Sequence, residues 1–502
     1  MNRPWPALLS VLPALVALLV SACGHDAPTE PSNQGSLLLS ELVVALTPQG
    51  IADVDVTSLD AGGASIACQI SNGNPSVASV TLDGATLHIT GLSSGTTNVT
   101  VTNGRGGRRV LPVQVYDPLL LDTGELVITY TNQFEPVWSQ SSDTDLSFWK
   151  PVPPEGFYAL GTYCQSPLSD PSGYVAVMVV AAKPGSDAIA FATSFDSYYS
   201  QIHTPIPPTG YKALGNVFTA PDQTPELLAC LREDLTVRAE PGGYAWYDPT
   251  GWTGEPESIS MIVQRHADTT HEGAYLVPGT FIFWFGAGAP VLDHPVLNIL
   301  NVELPMLAQA EDEEFSPRMT SRNRPPNESS PKMQRAMLVP CTMIRDMVPG
   351  HDIGWQGGNS PFYRLDREIY YRCVFHQDNA TSQPQPSHYD ESWGITTEMT
   401  NSVWSDTQIS LSVDFGLSFR AVDAGISATV SQSFGYETQT SVGQLAAGGT
   451  TAAITVPAQR AAALWQQYDR YRLYRHNGNT LELVKTWEFG IESFVSDQYP
   501  DD

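Results

Sequence analysis

The sequence predicts an all-β protein made of a β-sandwich, a three-repeat β-prism and an elongated antiparallel β module at the C-terminal end. Three observations predict it. Charged residues fill only 16% of 502 positions while glycine and proline number 40 and 39, a balance that suits short strands joined by turns. Apolar and polar residues alternate with period two over many short runs, as half-buried strands require. A proline-rich motif recurs, and recurrence at a fixed spacing marks an architecture of similar units. About 500 residues is more than one core organises, so several domains are expected. Asp and Glu total 53 against 25 Lys and Arg, a net charge of -28. Such a surface repels phosphate backbones, which excludes nucleic acid as a partner. It also disfavours purely electrostatic docking on anionic lipid.

The N-terminal residues read as an export signal. Met1-Asn2-Arg3 gives a short cationic start, and Ala7 to Val20 is apolar apart from Ser10. That stretch has the length of a signal core and is too short to span a bilayer as a helix. Val20-Ser21-Ala22-Cys23 then resembles the bacterial lipobox. The resemblance implies that residues 1–22 are removed and that Cys23 takes the lipid. It implies the outer membrane or cell surface as well, because no Asp follows Cys23. Residues 23–37 are Pro/Ser/Asn/Asp-rich without apolar period, as a tether should be.

Export brings an oxidising compartment. Cys68, Cys164, Cys230, Cys341 and Cys373 remain beyond the anchor, an odd number that leaves at least one unpaired. Cys164 and Cys230 lie in two copies of the repeat, and Cys341 and Cys373 flank one local segment. All four are candidate disulfide partners, with connectivity open. Cys68 lies in an apolar strand pattern and reads as a small core residue.

Residues 38–117 carry the strand-turn-strand runs Ser76–Val80, Leu87–Gly91 and Gly95–Thr102. Their "SVA…ITGL..GTT.VTVT" frame resembles the group-two bacterial immunoglobulin-like domain. That implies an immunoglobulin-like sandwich acting as a spacer or adhesive module. Residues 118–302 hold the repeat. Trp149-Lys150-Pro151-Val152-Pro153-Pro154-Glu155-Gly156-Phe157-Tyr158-Ala159-Leu160-Gly161 recurs from Thr204 to Gly215, and more faintly from Glu272 to Thr280. Copies roughly 54 to 64 residues apart suggest three similar sheets about a pseudo-threefold axis, with Pro-Pro-x-Gly marking a turn at a sheet edge. The motif, with Leu231-Arg232-Glu233-Asp234-Leu235, resembles the vacuolar protein sorting family numbered sixty-two. The second copy departs from it where Thr204 replaces the basic residue. The resemblance implies a β-prism associated with membranes or carbohydrate, and no catalytic residues.

Residues 303–333 are Pro- and Ser-rich and read as a linker. Residues 334–502 form the C-terminal β module. In it, Tyr471 to Arg475, a His476-Asn477-Gly478 turn, and Leu481, Leu483, Trp487 and Phe489 on one face predict a hairpin. Ala458 to Trp465 fits either a short helix or an Ala-rich strand. Between Thr407 and Thr440 the alternation is most regular. Ile409, Leu411, Val413, Phe415, Leu417 and Phe419 share one face, followed after Asp423-Ala424-Gly425 by Ile426, Ala428, Val430, Phe434 and Tyr436. Ser and Thr dominate the other face, and Gln432 interrupts the apolar one. Each arm of about eleven residues matches a tilted strand crossing a hydrocarbon layer. In layout this resembles aerolysin-like pore-forming toxins. An ordinary half-buried hairpin alternates in the same way.

Several patterns look chemical without supporting chemistry. Gly91-Leu92-Ser93-Ser94-Gly95 fits a nucleophile elbow, yet β-branched strand follows it where a helix is needed. His266, Asp268 and His271 lack the spacing of zinc ligands. Gly104-Arg105-Gly106-Gly107-Arg108-Arg109 is a basic turn with no helix after it. Asn327 and Asn379 lie in glycosylation-like triplets. No catalytic residue, metal or cofactor is expected, and the chain does not read as an enzyme. Two functions remain. In one, a lipid-anchored surface protein recognises a glycan or a target-membrane receptor through the prism, then oligomerises and inserts residues 407–440. In the other, a non-lytic adhesin-like lipoprotein carries a rigid C-terminal scaffold.

Overall fold

The computed structural model describes residues 36–500 except 61, 142–144, 199, 248–258, 266–272, 286–293, 311–314, 413–415, 422–425, 430–433, 435–444, 446–447 and 479. Cys23, its flanking signal and residues 24–35 of the tether lie outside the described residues, as do His266, Asp268 and His271.

Eight strands build the sandwich: β1 (Ser36–Leu39), β2 (Val44–Leu46), β3 (Ile51–Leu59), β4 (Cys68–Asn72), β5 (Ala78–Asp83), β6 (Thr86–Gly91), β7 (Gly95–Asn103) and β8 (Arg108–Val115). They pair as two four-stranded sheets, β1-β3-β6-β5 and β2-β8-β7-β4. The alternation puts Val54, Leu87, Ile89, Val99, Val101, Leu111 and Val113 between them in one apolar cluster, the packing that two-sheet domains use.

After β9 (Leu121–Asp122), three six-strand repeats follow. The first is β10 (Leu126–Thr131), β11 (Phe134–Gln140), β12 (Leu146–Pro151), β13 (Tyr158–Ala159), β14 (Tyr163–Gln165) and β15 (Val177–Ala182). The second is β16 (Ile189–Ala192), β17 (Ser194–Tyr198), β18 (Ile202–Ile206), β19 (Tyr211–Lys212), β20 (Val217–Phe218) and β21 (Leu228–Arg232). The third is β22 (Thr236–Arg238), β23 (Glu240–Tyr247), β24 (Ile259–Arg265), β25 (Gly273–Leu276), β26 (Ile282–Phe285) and β27 (Asn298–Val302). In each, the second, third and fifth strands form one sheet, while the sixth pairs with both the first and the fourth. The same order three times over is the expected pseudo-threefold β-prism.

The repeated motif explains the closure. Pro154-Glu155-Gly156-Phe157 and Pro208-Thr209-Gly210-Tyr211 are turns closed by Phe157 N–H to Pro154 O (3.0 Å) and Tyr211 N–H to Pro208 O (3.1 Å). Gly156 and Gly210 take φ of 83° and 86°, which the third position of such a turn demands. The chain then runs to the axis, where a cyclic triangle of backbone bonds joins the repeats. Thr162 N–H donates to Asn216 O (3.0 Å), Asn216 N–H to Phe281 O (3.0 Å), and Phe281 N–H to Thr162 O (3.3 Å). Gly161 and Gly215 precede two corners, and a Cβ on Gly215 would meet Thr280 Oγ1 at 2.4 Å. Thr280, the third-copy counterpart, donates its hydroxyl to Leu214 O (2.8 Å). Arg232 of the Leu-Arg-Glu-Asp run gathers Glu125, Asp187 and Asp234 and so ties the first repeat to the second.

The C-terminal module is a long sheet ordered β28 (Met306–Gln309), β29 (Lys332–Pro340), β30 (Phe362–Asp378), β36 (Ala461–Asn477) and β37 (Thr480–Tyr499). Its three longest strands have 17, 17 and 20 residues, about 55 to 65 Å of extended chain. Beside it run β31 (Gln385–Trp393) and β35 (Gly448–Val456), paired only with each other. Between those two the chain forms α2 (Thr397–Thr407), β32 (Ile409–Ser412), β33 (Gly416–Ala421) and β34 (Ile426–Thr429); α1 (Ile353–Asn359) precedes β30. Prism and module share one apolar cluster, with Tyr130, Leu160, Leu214 and Leu276 on one side and Met337, Phe362, Leu365 and Tyr471 on the other.

Two expectations need correction, and one open alternative is resolved. The 303–333 stretch is built into the module: β28 pairs with β29, and Phe315 and Met319 pack with Tyr371 and Trp465. Residues from Ala461 on are strand, since β30 supplies a ladder as far as Asp378 opposite Ala461. The hairpin of β36 and β37 forms, but its turn comes later than expected: His476 and Asn477 are still paired, with Asn477 opposite Thr480. However, a register shift between Leu473 and Tyr474 turns Leu483 out to 55% exposure while Trp487 and Phe489 stay buried. Such a bulge reverses the faces beyond it.

Candidate functional site

The segment with the strongest functional pattern is the excursion 394–447 that β31 and β35 enclose. Its first element, α2, starts at Thr396, whose hydroxyl accepts from Met399 N–H (3.2 Å). It ends at Gln408, held at φ 60°. That left-handed cap turns the chain directly into β32. Ile409 and Leu411 face inward, 0% and 2% exposed, in the cluster that also holds Val403 of α2. Thr400 Oγ1 donates to Leu411 O (3.2 Å) and fastens the helix to the strand.

In this fold the first of the two expected arms is bent back on itself. Residues 409–419 do not run as one arm: β32 folds back on β33, with Ile409 opposite Phe419 and Leu411 opposite Leu417. Val413 and Phe415, at that fold, lie outside the described residues, as does Val430. Next, β33 pairs with β34, Phe419 opposite Ala428 and Ala421 opposite Ile426. Finally β34 joins the third prism repeat, Ala428 opposite Ala274 and Thr429 opposite Gly273. The result is a six-stranded sheet, β22-β27-β25-β34-β33-β32. A free ribbon is absent from it, because β33 and β34 both have neighbours on each edge. The physical reason is that Leu411 and Ile409 gain a core by folding back, whereas one long arm would leave that face in water.

Other contacts hold the excursion down. Phe434 is fully buried and packs edge-on against Tyr471, centroids 5.6 Å apart. Its carbonyl accepts from Arg367 Nη1, and Arg367 in turn pairs with buried Asp469 at 2.8 Å. Lys485 of β37 reaches Asp406 at the end of α2.

The candidate disulfides are not formed. Cys68, Cys164, Cys230, Cys341 and Cys373 are all free thiols. Cys164 and Cys230 belong to different apolar clusters of the prism, and Cys341 and Cys373 to different clusters of the module. Pairing would require each to leave its own core. Burial pushes the Cys230 thiol up to about 11 and Cys341 to about 12, which keeps both inert at neutral pH.

The remaining candidates have structural roles. Ser93 Oγ donates to Ser76 O (2.7 Å) in a turn that leads into β7. Arg105 lies in the turn between β7 and β8, 3.5 Å from Asp60. Asn379 is buried, and its amide donates to Gln383, Val456 and Pro457 carbonyls. Asp346, a cluster missed in the sequence, accepts from Tyr363 Oη (3.0 Å) and His351 Nδ1 (3.1 Å) and pairs with Arg475 (3.2 Å). Burial pushes its carboxyl up, but the Val348 N–H together with these donors holds it below the usual range. The β31–β35 ribbon was also missed. Pro386 disguises the first strand, and its partner lies more than fifty residues away in sequence.

Residues 112–309 match the family model described as Vacuolar protein sorting-associated protein 62. Residues 335–496 match that of Insecticidal Crystal Toxin, P42, and residues 65–116 that of the Pilus formation protein N terminal region. The sorting-family likeness of the prism and the toxin-like character of the C-terminal module are thereby borne out. No curated protein matches the chain. Among solved structures, GNIP1Aa from Chromobacterium piscinae is similar at 16% identity, covering 38% of this chain and 38% of that chain, with a TM-score of 0.30. Cry35Ab1 is similar at 12% identity over 76% of this chain and 91% of that chain, with a TM-score of 0.30. Domains 4 and 5 of the S-layer protein SbsC are similar at 20% identity over 16% of this chain and 45% of that chain, with a TM-score of 0.16. The chain thus spans less than half the length of the first and third. Likenesses this distant bear on neither activity nor partner.

Proposed function

We propose that the protein is exported, anchored through Cys23 at the outer membrane or cell surface, and acts on membranes after its prism has engaged a glycan or a target-membrane receptor. One observation carries the membrane half: the excursion 394–447 sits between two strands, β31 and β35, that share no ladder with any third described strand. Undocking the excursion would lengthen that ribbon. Extending the β33–β34 register sets Leu417 opposite Val430 and Val413 opposite Phe434. That places the apolar residues on one face of arms long enough to cross a bilayer. The toxin-family match over residues 335–496 supports the same reading. Release has a cost. Exposing Ile409, Leu411 and Phe434 would take roughly 5 to 9 kcal/mol, so insertion needs a trigger such as receptor engagement or self-association. No catalytic chemistry is proposed.

A second reading, a non-lytic binding lipoprotein, draws on the two-sided pairing of β33. Dye release from liposomes and cells separates the two. A cysteine pair at Ala274 and Ala428, which are direct cross-strand partners, pins the excursion to the prism at a spacing a disulfide accepts. Membrane action predicts leakage by the unmodified ectodomain, its loss in the oxidised pair and its return with reductant. Leakage that survives the oxidised pair, or no leakage from any membrane, leaves the binding reading.

A further inference from the structure

We infer that the cleft between the first and second prism repeats is a binding site for a neutral oligosaccharide. The inference rests on the recognition half of the proposed function and deepens it. The cleft measures about 420 Å³ and is open at its mouth, within the range of small-ligand clefts. Phe157 and Tyr158 line one wall, and the 223–229 segment the other. Tyr158 is 43% exposed, and Phe191 packs across its ring at 74° with centroids 4.9 Å apart, so the ring is held at the rim. At the mouth Lys150 Nζ meets Glu226 Oε2 at 2.9 Å.

These parts suit a sugar. A held aromatic ring offers an apolar face to the C–H side of a pyranose. The paired ammonium and carboxylate still offer two N–H donors and the carboxylate's other oxygen to vicinal hydroxyls, each of which both gives and takes a hydrogen bond. The carboxylate at the mouth and the net charge of -28 turn away acidic polysaccharides. The neutral class therefore remains.

The second repeat does not carry the pair. In the second repeat Thr204 stands at the position of Lys150, and it is buried and takes a hydrogen bond from Asn216 Nδ2 at 2.8 Å. Lys212 stands at the position of Tyr158 and pairs with Glu233 at 3.3 Å. The second copy thus lacks both the cation and the ring.

The test uses the whole ectodomain with cellotetraose, maltotetraose and tetra-N-acetylchitotetraose as probes, read by calorimetry and saturation-transfer NMR. We expect at least one to bind. Lys150→Ala and Tyr158→Ser should each weaken it tenfold or more, Tyr158→Phe should retain it, and Lys212→Ala, outside the cleft, should leave it unchanged. Binding by none of the three, or binding that Lys150→Ala and Tyr158→Ser do not weaken, overturns the inference. Liposome leakage is scored separately: sugar binding without leakage keeps this inference while the membrane reading falls, and leakage without sugar binding does the reverse.

Discussion

Glu41 sits half-buried where the turn between β1 and β2 meets the long C-terminal sheet. Burial, with Glu368 nearby, pushes its carboxyl up to about 7, while Lys332 and Arg472 pull the other way. A folded-state value above the ordinary 4.5 means that stability is fully present below that point and is lost as pH rises through 7. His476 behaves oppositely: burial lowers it to about 4, so its contribution is present above the ordinary histidine value and is lost as pH falls through 4. Comparing a variant with its parent isolates the first effect. Glu41→Gln should melt at a higher temperature than the parent at pH 8 and at the same temperature at pH 4. An equal difference at both would mean that Glu41 carries no shifted proton. None of this was legible in the sequence, because Glu41 and Glu368 meet only through the fold. The cysteines were misread for a related reason. Cys164 and Cys230 stand in different strands of the repeat, the first in the fifth, opposite Phe148, and the second in the sixth, opposite Ala190. Similar copies therefore did not place the two thiols at matching positions.

At the scale of elements, the shared apolar cluster between prism and module is supplemented at α1 by close backbone approach. Helix α1 lies on the loop after β10 and on the 171–176 segment with almost no side chains between. A Cβ on Gly354 would stand 2.2 Å from Gly173 O, and one on Gly357 2.3 Å from Ala176 Cβ. Asn132 Nδ2 donates to Gly354 O (3.0 Å) across the same contact. Overpacking of this kind costs about 1 to 3 kcal/mol and falls on the join rather than on either core. Gly357→Val should therefore speed limited proteolysis between prism and module and leave the far-ultraviolet circular dichroism unchanged. Proteolysis at the parental rate would show that α1 does not hold the two together. The sequence announces the hairpin of β36 and β37 through local chemistry, alternation on both sides of Asn477-Gly478. It misleads at residues 409–419, where alternation specifies a strand without saying whether that strand continues or folds back. Period two settles which side chains share a face. The choice of neighbour was made by the core under Ile409 and Leu411.

Over the whole molecule, the repeats were legible because the Pro-Pro-x-Gly turn is a local device used twice, whereas the third corner of the axis triangle, Phe281, is reached without it. The assembly of the parts was not legible, since its contacts join residues hundreds of positions apart. The sandwich is bound to the long sheet by three such links: Lys332 Nζ to Leu39 O (2.6 Å), Arg364 Nη1 to Ala45 O (2.9 Å), and Tyr116 Oη with His476 Nε2 (3.0 Å). The middle one depends on a fully buried ion pair, Arg364 with Asp366 at 2.7 Å. Burial pushes the Asp366 carboxyl up, and Arg364 draws it back down. Removing one partner of such a pair costs about 3 to 5 kcal/mol, whereas replacing both by apolar groups of similar volume is often neutral. Arg364→Met loses the link to Ala45 and strands Asp366, so sandwich and sheet should unfold in two resolved calorimetric transitions. Arg364→Met with Asp366→Leu removes the stranded charge but still lacks the link. Its sheet transition should return to the parental temperature while the sandwich transition stays separate and low. If the double variant merges the two transitions again, the ion pair mattered only for its own burial, and the sandwich is coupled through its other contacts, Lys332 with Leu39 among them.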